Sequence, residues 1–386
     1  MRKNTAIWQT LFIFVKMKPL FYSDYLEGAH PAIMDALART NMEQTPGYGE
    51  DEHCLRAAEL IRKACNLPEA DVHFLVGGTQ TNTTVIASIL RPHQGVLCAE
   101  TGHIGVHETG AIEHSGHKVL PLPAVDGKIA AQQIIDAVDA HWADECHEHT
   151  VQPGMVYISF PTELGTIYSK SELQAISAAC ASKNIPLFID GARLGYGLTS
   201  PACDITLPEL AALADVFYIG GTKQGALFGE AVVIRNDALK PDFRYFIKQN
   251  GGMLAKGRLL GIQYEVLFST SCVSFDGGST PVTPPGGYSR CASEALYFQI
   301  ARKANEQAVK VREQAEKLGI RLFGSSPTNQ VFLVAEDSKL PAFAEKAGYE
   351  FWQRYSPTES VVRVCTSWAT PDSAIDTLLE AMTIIQ

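Results

Sequence analysis

The sequence predicts an α/β fold: a mostly parallel, seven-stranded doubly wound sheet with helices on both faces, plus a smaller C-terminal α+β domain. Three observations predict it. From residue 72 to 235, short β-rich apolar runs alternate with helical ones, the pattern of a parallel sheet joined by crossover helices. After residue 290 the order changes to one long amphipathic helix followed by strands. The length of 386 residues exceeds the usual size of one core, so a large and a smaller domain are expected.

Taken in order, residues 1–18 read as an N-terminal extension. Met1–Lys16 opens with Arg2 and Lys3, and Ala6–Val15 is mostly apolar. This run is too short to span a bilayer, is interrupted by Gln9 and Thr10, and lacks a small-residue cleavage site. Met17 is an alternative start. Residues 19–268 form the large domain. Its strand candidates are Val72–Val76, Val96–Ala99, Lys118–Leu122, Met155–Phe160, Leu187–Asp190, Val216–Ile219 and Glu230–Ile234. Between them, Thr83–Leu90, Ala130–His141, Lys170–Lys183 and Leu207–Leu213 read as helices. Glu230–Ile234 follows its predecessor too closely for a crossover helix, so an antiparallel pairing is expected there. Residues 269–292 are rich in Ser, Gly, Thr and Pro, hence a loop or insertion. Residues 293–386 form the small domain, with the long helix placed at Cys291–Leu318, strands at Asn329–Val334 and Val361–Cys365, and helices at Leu340–Ala347 and Pro371–Ile385.

Composition narrows the function. A formal charge of −10 and no concentrated basic tract argue against nucleic acid, and no further membrane segment is apparent. Nine cysteines without CxxC spacing fit free thiols in a reducing cytoplasm.

The chemistry converges on the carboxyl ends of the strands, where doubly wound sheets bind ligands. Lys223 lies between two apolar runs, flanked by Gly220, Gly221 and Gly225. A lysine in so apolar a setting is costly to bury as a cation, so it snorkels, pairs or reacts, and an amine that loses its proton easily can form a Schiff base with an aldehyde. Asp190 ends another apolar run and could hold a pyridine nitrogen protonated, the pairing a pyridoxal phosphate site requires. Val72–Val76 runs into Gly77-Gly78-Thr79-Gln80-Thr81-Asn82 and a helix, which makes either an anion cradle or a plain N-cap. Gly220-Gly221-Thr222 could supply a second phosphate contact. His103, after the strand Val96–Ala99, could stack on a flat ring; with His107, Glu108 and His114 nearby it could instead bind metal, although no third ligand is fixed. Arg193 and Arg363 are candidates for holding a carboxylate through paired hydrogen bonds, against the plainer reading of Arg363 as a surface residue on an edge strand.

With these residues in place the chain resembles the low-specificity L-threonine aldolases, of the β-eliminating lyase group with the aspartate aminotransferase (fold type I) architecture of PLP-dependent transferases. The resembling segments are Ser23–Pro31, Gly47–Cys54, Gly77–Asn82, Ala99–Glu113, Asp190–Arg193, Gly220–Lys223, Gly251–Gln263 and Arg363–Trp368. The resemblance implies pyridoxal 5′-phosphate bound as a Schiff base to Lys223, with Asp190 on its ring nitrogen and His103 on its face. It implies that Gly78 and Thr79 hold phosphate, and that Ser23, Arg193 and Arg363 hold a substrate carboxylate. It also implies retro-aldol cleavage of β-hydroxy-α-amino acids such as L-threonine and L-allo-threonine to glycine and an aldehyde. The β-hydroxyl proton would go to His103 or to a water. A homodimer or homotetramer with sites at the subunit interface is implied, with Lys256 and Arg258 near that interface and in a phosphate-binding role.

The chain departs from the family pattern in two places. Pro161-Thr162-Glu163-Leu164-Gly165-Thr166 stands where a histidine-asparagine pair is usual, so Glu163 is either a candidate substrate contact or a helix- or loop-stabilising carboxylate, and residues 269–292 look inserted. β-Elimination or desulfuration on the same scaffold, transamination, and a PLP-binding relative without turnover are the alternatives. Desulfuration would want a mobile cysteine, for which Cys272 is the candidate.

Overall fold

The computed structural model describes residues 18–270 and 294–386. The large sheet holds β1 (Asp71–Leu75), β2 (Gln94–Ala99), β3 (Lys118–Leu122), β4 (Gln152–Ser159), β5 (Leu187–Asp190), β6 (Val216–Gly220) and β7 (Glu230–Ile234). Their spatial order is β1-β7-β6-β5-β4-β2-β3. Neighbours from β3 to β6 pair in parallel, and β7 runs antiparallel to both β6 and β1. All the strands except β7 therefore deliver their carboxyl ends to one edge.

Both faces are buried, and strand periodicity sorts side chains between them. Leu97, Val156, Ile158, Ile189, Phe217 and Val233 enter one core. Their neighbours in sequence, Cys98, Tyr157, Phe188, Val216, Tyr218 and Val232, enter the other. Helices Glu52–Cys65, Lys170–Lys183 and Leu207–Leu213 contribute to the first core, and Gly78–Ile89 and Phe243–Gln249 to the second. Local chemistry sets the helix ends. Ser169 and Glu172 form a reciprocal capping box at the start of Lys170–Lys183, and Asp51 caps Glu52–Cys65 by accepting from Cys54 N at 2.9 Å.

A second sheet, β8 (Gln330–Glu336), β9 (Glu350–Ser356) and β10 (Glu359–Cys365), is antiparallel with β10 in the middle. The 23-residue helix Leu296–Leu318 and the helix Asp372–Ala381 share its core. The N-terminal stretch joins this sheet rather than the large one. Phe21 is buried in the same core, its N–H donates to Gly348 O at 2.8 Å, and its carbonyl accepts from Cys365 N at 3.0 Å.

The expected α/β class holds. The long helix begins at Leu296 rather than at residue 291, and the phosphate-type turn is itself the first turn of a helix that starts at Gly78, not Thr83. β9 has no counterpart in the sequence reading, because its residues are largely exposed and mix charged with aromatic side chains. Expectations for the extension, for Cys272 and for most of the 269–292 loop lie outside the described residues. Among the described residues no helix is long and apolar enough to cross a membrane.

Candidate active site

Five strand ends place the candidate residues together. β1 leads to Gly78 and Thr79, β2 to His103, β4 to Glu163, β5 to Asp190, and β6 to Thr222 and Lys223.

Asp190 is buried, and each carboxylate oxygen accepts two hydrogen bonds. Oδ1 takes Tyr218 OH at 2.5 Å and Ala192 N at 2.9 Å; Oδ2 takes Tyr157 OH at 2.5 Å and Asn82 Nδ2 at 3.1 Å. Space around it is tight. A Cβ at Gly78 would sit 3.3 Å from Tyr218 OH, and one at Gly220 would run into the Ala192 carbonyl. At Gly77 nothing lies within 4 Å, which leaves the helix N-terminus open to an anion.

His103 is anchored on both sides. Its Nδ1 is 2.8 Å from Glu108 Oε1, and its backbone N–H donates to Glu163 Oε1 at 2.9 Å. Glu108 has no exposed side-chain surface and also accepts from Asn82 Nδ2 at 2.7 Å. A carboxylate partner fixes the Nδ1–H tautomer and leaves Nε2 as the basic nitrogen. Glu163 takes a second hydrogen bond, from Ser159 Oγ at 2.6 Å, on the same oxygen. Burial raises the proton affinity of its carboxyl. The His107 ring turns toward Trp352, 6.3 Å away between centroids.

Lys223 is half-buried, with Nζ 5.9 Å from the Tyr25 ring centroid. Burial first, and then the Arg193 guanidinium, lower its proton affinity, so a larger fraction is the nucleophilic free amine. Tyr196 OH donates to the Lys223 carbonyl at 2.7 Å and pins the turn. Thr222 Oγ1 lies within hydrogen-bond distance of Glu230 Oε1, at 2.9 Å.

The two arginines meet at the N-terminal stretch. Arg193 forms a fork on Asp24, with Nε–Oδ2 at 2.7 Å and Nη2–Oδ1 at 3.0 Å. Burial opposes the Asp24 charge, but the guanidinium outweighs it and holds the carboxyl at about 2. Arg363 donates to Tyr22 O at 3.1 Å, to Gln330 Oε1 at 2.8 Å and to Glu350. Its Nε is buried without a partner. Ser23 therefore lies between one residue that binds each arginine. Arg363 is buried on the central strand β10, which excludes the surface reading.

The residues present suit pyridoxal phosphate: an amine of lowered proton affinity, a buried carboxylate, a glycine-opened helix N-terminus and a histidine beside them. The unpartnered Arg363 Nε suits a substrate carboxylate. Lys256 and Arg258 line a separate groove of about 500 Å³ with residues 43–46 and Ala255. Arg258 is committed there to the backbone carbonyls of Asn41 and Glu43.

Sequence reasoning did not single out Asp24, Asn82, Tyr157, Tyr218 or Glu230, and it read Glu108 as a possible metal neighbour. One signal was present for the tyrosines: each is a hydroxyl-bearing residue flanked on both sides by aliphatic or aromatic strand residues, at the phase that Asp190 shares through Phe188.

Residues 21–338 match the family model for β-eliminating lyases. The low specificity L-threonine aldolase of Pseudomonas sp. (strain NCIMB 10558) is 28% identical over 92% of this chain and 94% of that protein. The enzyme of the same name from Pseudomonas aeruginosa is 32% identical over 62% of this chain and 68% of its own length. Among solved structures, the threonine aldolase of Leishmania major superposes with a TM-score of 0.85 at 41% identity, covering 95% of this chain and all of that one. Aspartate aminotransferase from Thermus thermophilus shares the fold, with a TM-score of 0.65 at 14% identity over 96% of this chain and 92% of that one.

Proposed function

The chain belongs to the β-eliminating lyase family, and from that premise we propose that it is a pyridoxal-phosphate-dependent aldolase cleaving L-threonine, L-allo-threonine and related β-hydroxy-α-amino acids to glycine and an aldehyde. The observation that carries the reading is the convergence of Lys223, Asp190 and His103 at one sheet edge, with the Arg193–Asp24 pair near Lys223. When bound, pyridoxal phosphate supplies the electron sink that makes a Cα bond of an amino acid breakable.

The protein's own residues do the rest. Lys223 would hold the cofactor aldehyde and give it up to the substrate amine. Asp190 would keep the ring nitrogen protonated, its orientation fixed by Tyr157 and Tyr218. Gly78, Thr79 and Thr222 would hold the phosphate. Arg363, Arg193 and Ser23 would grip the substrate carboxylate, which sets the Cα–Cβ bond in the orientation for cleavage. His103 Nε2 would then take the β-hydroxyl proton, with Glu108 stabilising the charge the imidazole gains. Glu163, anchored through one oxygen, would present the other toward the β-substituent in place of the usual histidine-asparagine pair.

A homo-oligomer with the site at its interface is supported by the exposed apolar side chains of Tyr25, Leu26 and Leu227 around the Lys223 turn. A cytoplasmic location is supported by the free cysteines: Cys54, Cys65, Cys98, Cys180 and Cys365 are all buried and unbridged.

The test is a product assay on cofactor-loaded protein with L-threonine and L-allo-threonine. Acetaldehyde with glycine is expected; ammonia with a 2-oxo acid would instead make the protein an eliminating lyase.

A further inference from the structure

Glu230 is a buried acid that the reaction above does not use. As the first residue of β7 it pairs with Leu75 on one side and Gly220 on the other. Those are the strand ends that run into the two phosphate-type turns, at Gly78 and at Thr222. Its side chain is buried; one oxygen lies 2.9 Å from Thr222 Oγ1 and the other accepts from Gly221 N at 3.3 Å. The Thr222 hydroxyl in turn accepts from Gly229 N at 3.0 Å.

This arrangement poses a chemical problem. A hydroxyl has one proton. If Glu230 is ionised, that proton lies on the carboxylate, and Thr222 has none left for a phosphate. A carboxylate there would also repel the dianion. If Glu230 is the neutral acid, both difficulties vanish, because its O–H donates to the second lone pair of Thr222 Oγ1.

We propose that Glu230 is a positioning residue for the phosphate: as the neutral acid it donates to Thr222, turning that hydroxyl outward as a phosphate donor. This rests on assigning the cofactor phosphate to these turns. Burial supports the neutral state, pushing the carboxyl up to about 8; Lys223 opposes the shift, Thr222 and Gly221 oppose it as donors, and Asp190 adds to it. The other titratable groups facing it are the phenols of Tyr218, Tyr264 and Tyr297, all held neutral by burial. Ionisation of Glu230 at higher pH should therefore weaken phosphate binding.

The experiment titrates apoprotein with pyridoxal 5′-phosphate and, separately, with pyridoxal between pH 6.5 and 9.5. The ratio of the two dissociation constants isolates the phosphate, which is a dianion throughout most of that range. In wild type this preference should fall roughly tenfold from pH 7 to 9.5, the loss of one charge-assisted hydrogen bond. In Glu230→Gln, whose amide donates to Thr222 at every pH, it should stay flat. In Thr222→Val it should be low and flat, which keeps the test decisive if the glutamine variant folds poorly. A pH profile of the preference shared by wild type and both variants overturns the proposal. Equal affinity for the two compounds at every pH would overturn the phosphate assignment itself.

Discussion

Asp190 and Glu108 share one amide: Asn82 Nδ2 donates to Asp190 Oδ2 at 3.1 Å and to Glu108 Oε1 at 2.7 Å. The residue proposed to hold the cofactor ring nitrogen and the one that orients His103 are thereby tied through a single side chain on the helix Gly78–Ile89. The orientation of Asn82 is forced, since its oxygen would face two carboxylates if flipped, and that oxygen is left buried without a partner.

Asn82→Ala should leave both carboxylates short of a donor. Cofactor affinity and kcat should each fall about tenfold, on the scale of a lost buried hydrogen bond to a charged group. Cofactor titration together with steady-state kinetics checks this; unchanged values would show that the shared amide is dispensable.

Glu108→Gln tests the base. Nδ1 of His103 loses its charged acceptor, so the tautomer is no longer fixed and the imidazolium is no longer stabilised. A fall in kcat of about 10² is expected, within the range for general bases, with the visible absorbance of bound cofactor retained. If kcat holds and only stability drops, the proton goes to a water instead.

Lys223→Ala should remove the absorbance of lysine-bound cofactor and all turnover while preserving the circular dichroism spectrum. Neither Glu230 nor Asp190 accepts a hydrogen bond from the Lys223 side chain, so the packing around it survives.

Arg363→Lys keeps the charge and loses the spread of guanidinium donors now on Tyr22 O, Gln330 and Glu350. KM for L-threonine should rise by about tenfold to a hundredfold with a smaller change in kcat, because a point charge cannot reproduce paired hydrogen bonds. Kinetics that match wild type would place the substrate carboxylate elsewhere.

His53 predicts a pH effect on stability away from the site. It lies 2.8 Å from both Glu43 Oε2 and Glu265 Oε2. Burial alone would lower its proton affinity; the hydrogen bonds to Glu43 and Glu265 outweigh this and raise it above 6.5. A raised folded value means the stabilisation is full below the unfolded value of 6.5 and is lost as pH rises through the folded one. The Tm difference between wild type and His53→Gln should therefore be larger at pH 5.5 than at pH 8.5. A gap that widens with pH would contradict the sign.

Much of this architecture was legible because buried strands are apolar runs with sharp ends. Leu187–Asp190 and Glu230–Ile234 match residue for residue. The positions of Lys223 and Asp190 at strand ends were legible for the same reason. What escaped depends on distance along the chain. Tyr157 and Asn82 look locally like ordinary strand and helix residues, and only the stacking of β4 and β5 against Gly78–Ile89 brings them to Asp190. Asp24 acquires its meaning from an arginine 169 positions away. β9 escaped because its exposed, charged sequence carries no burial pattern.

The joining of residues 20–24 to the C-terminal sheet has a consequence for synthesis. Leu20 bridges to Gly348, Phe21 is bonded to Gly348 and Cys365, and the next residues bind Arg363 and Arg193. Contacts of such sequence separation form late in folding. A chain still emerging from the ribosome could complete the large sheet and hold Lys223 and Asp190 in place. Until residue 365 is made it would lack β10 and Arg363, which follow every strand of the large sheet in sequence. The grip proposed for the substrate carboxylate is complete only when residues 20–24 meet β10, so it assembles on a large sheet that can already have formed.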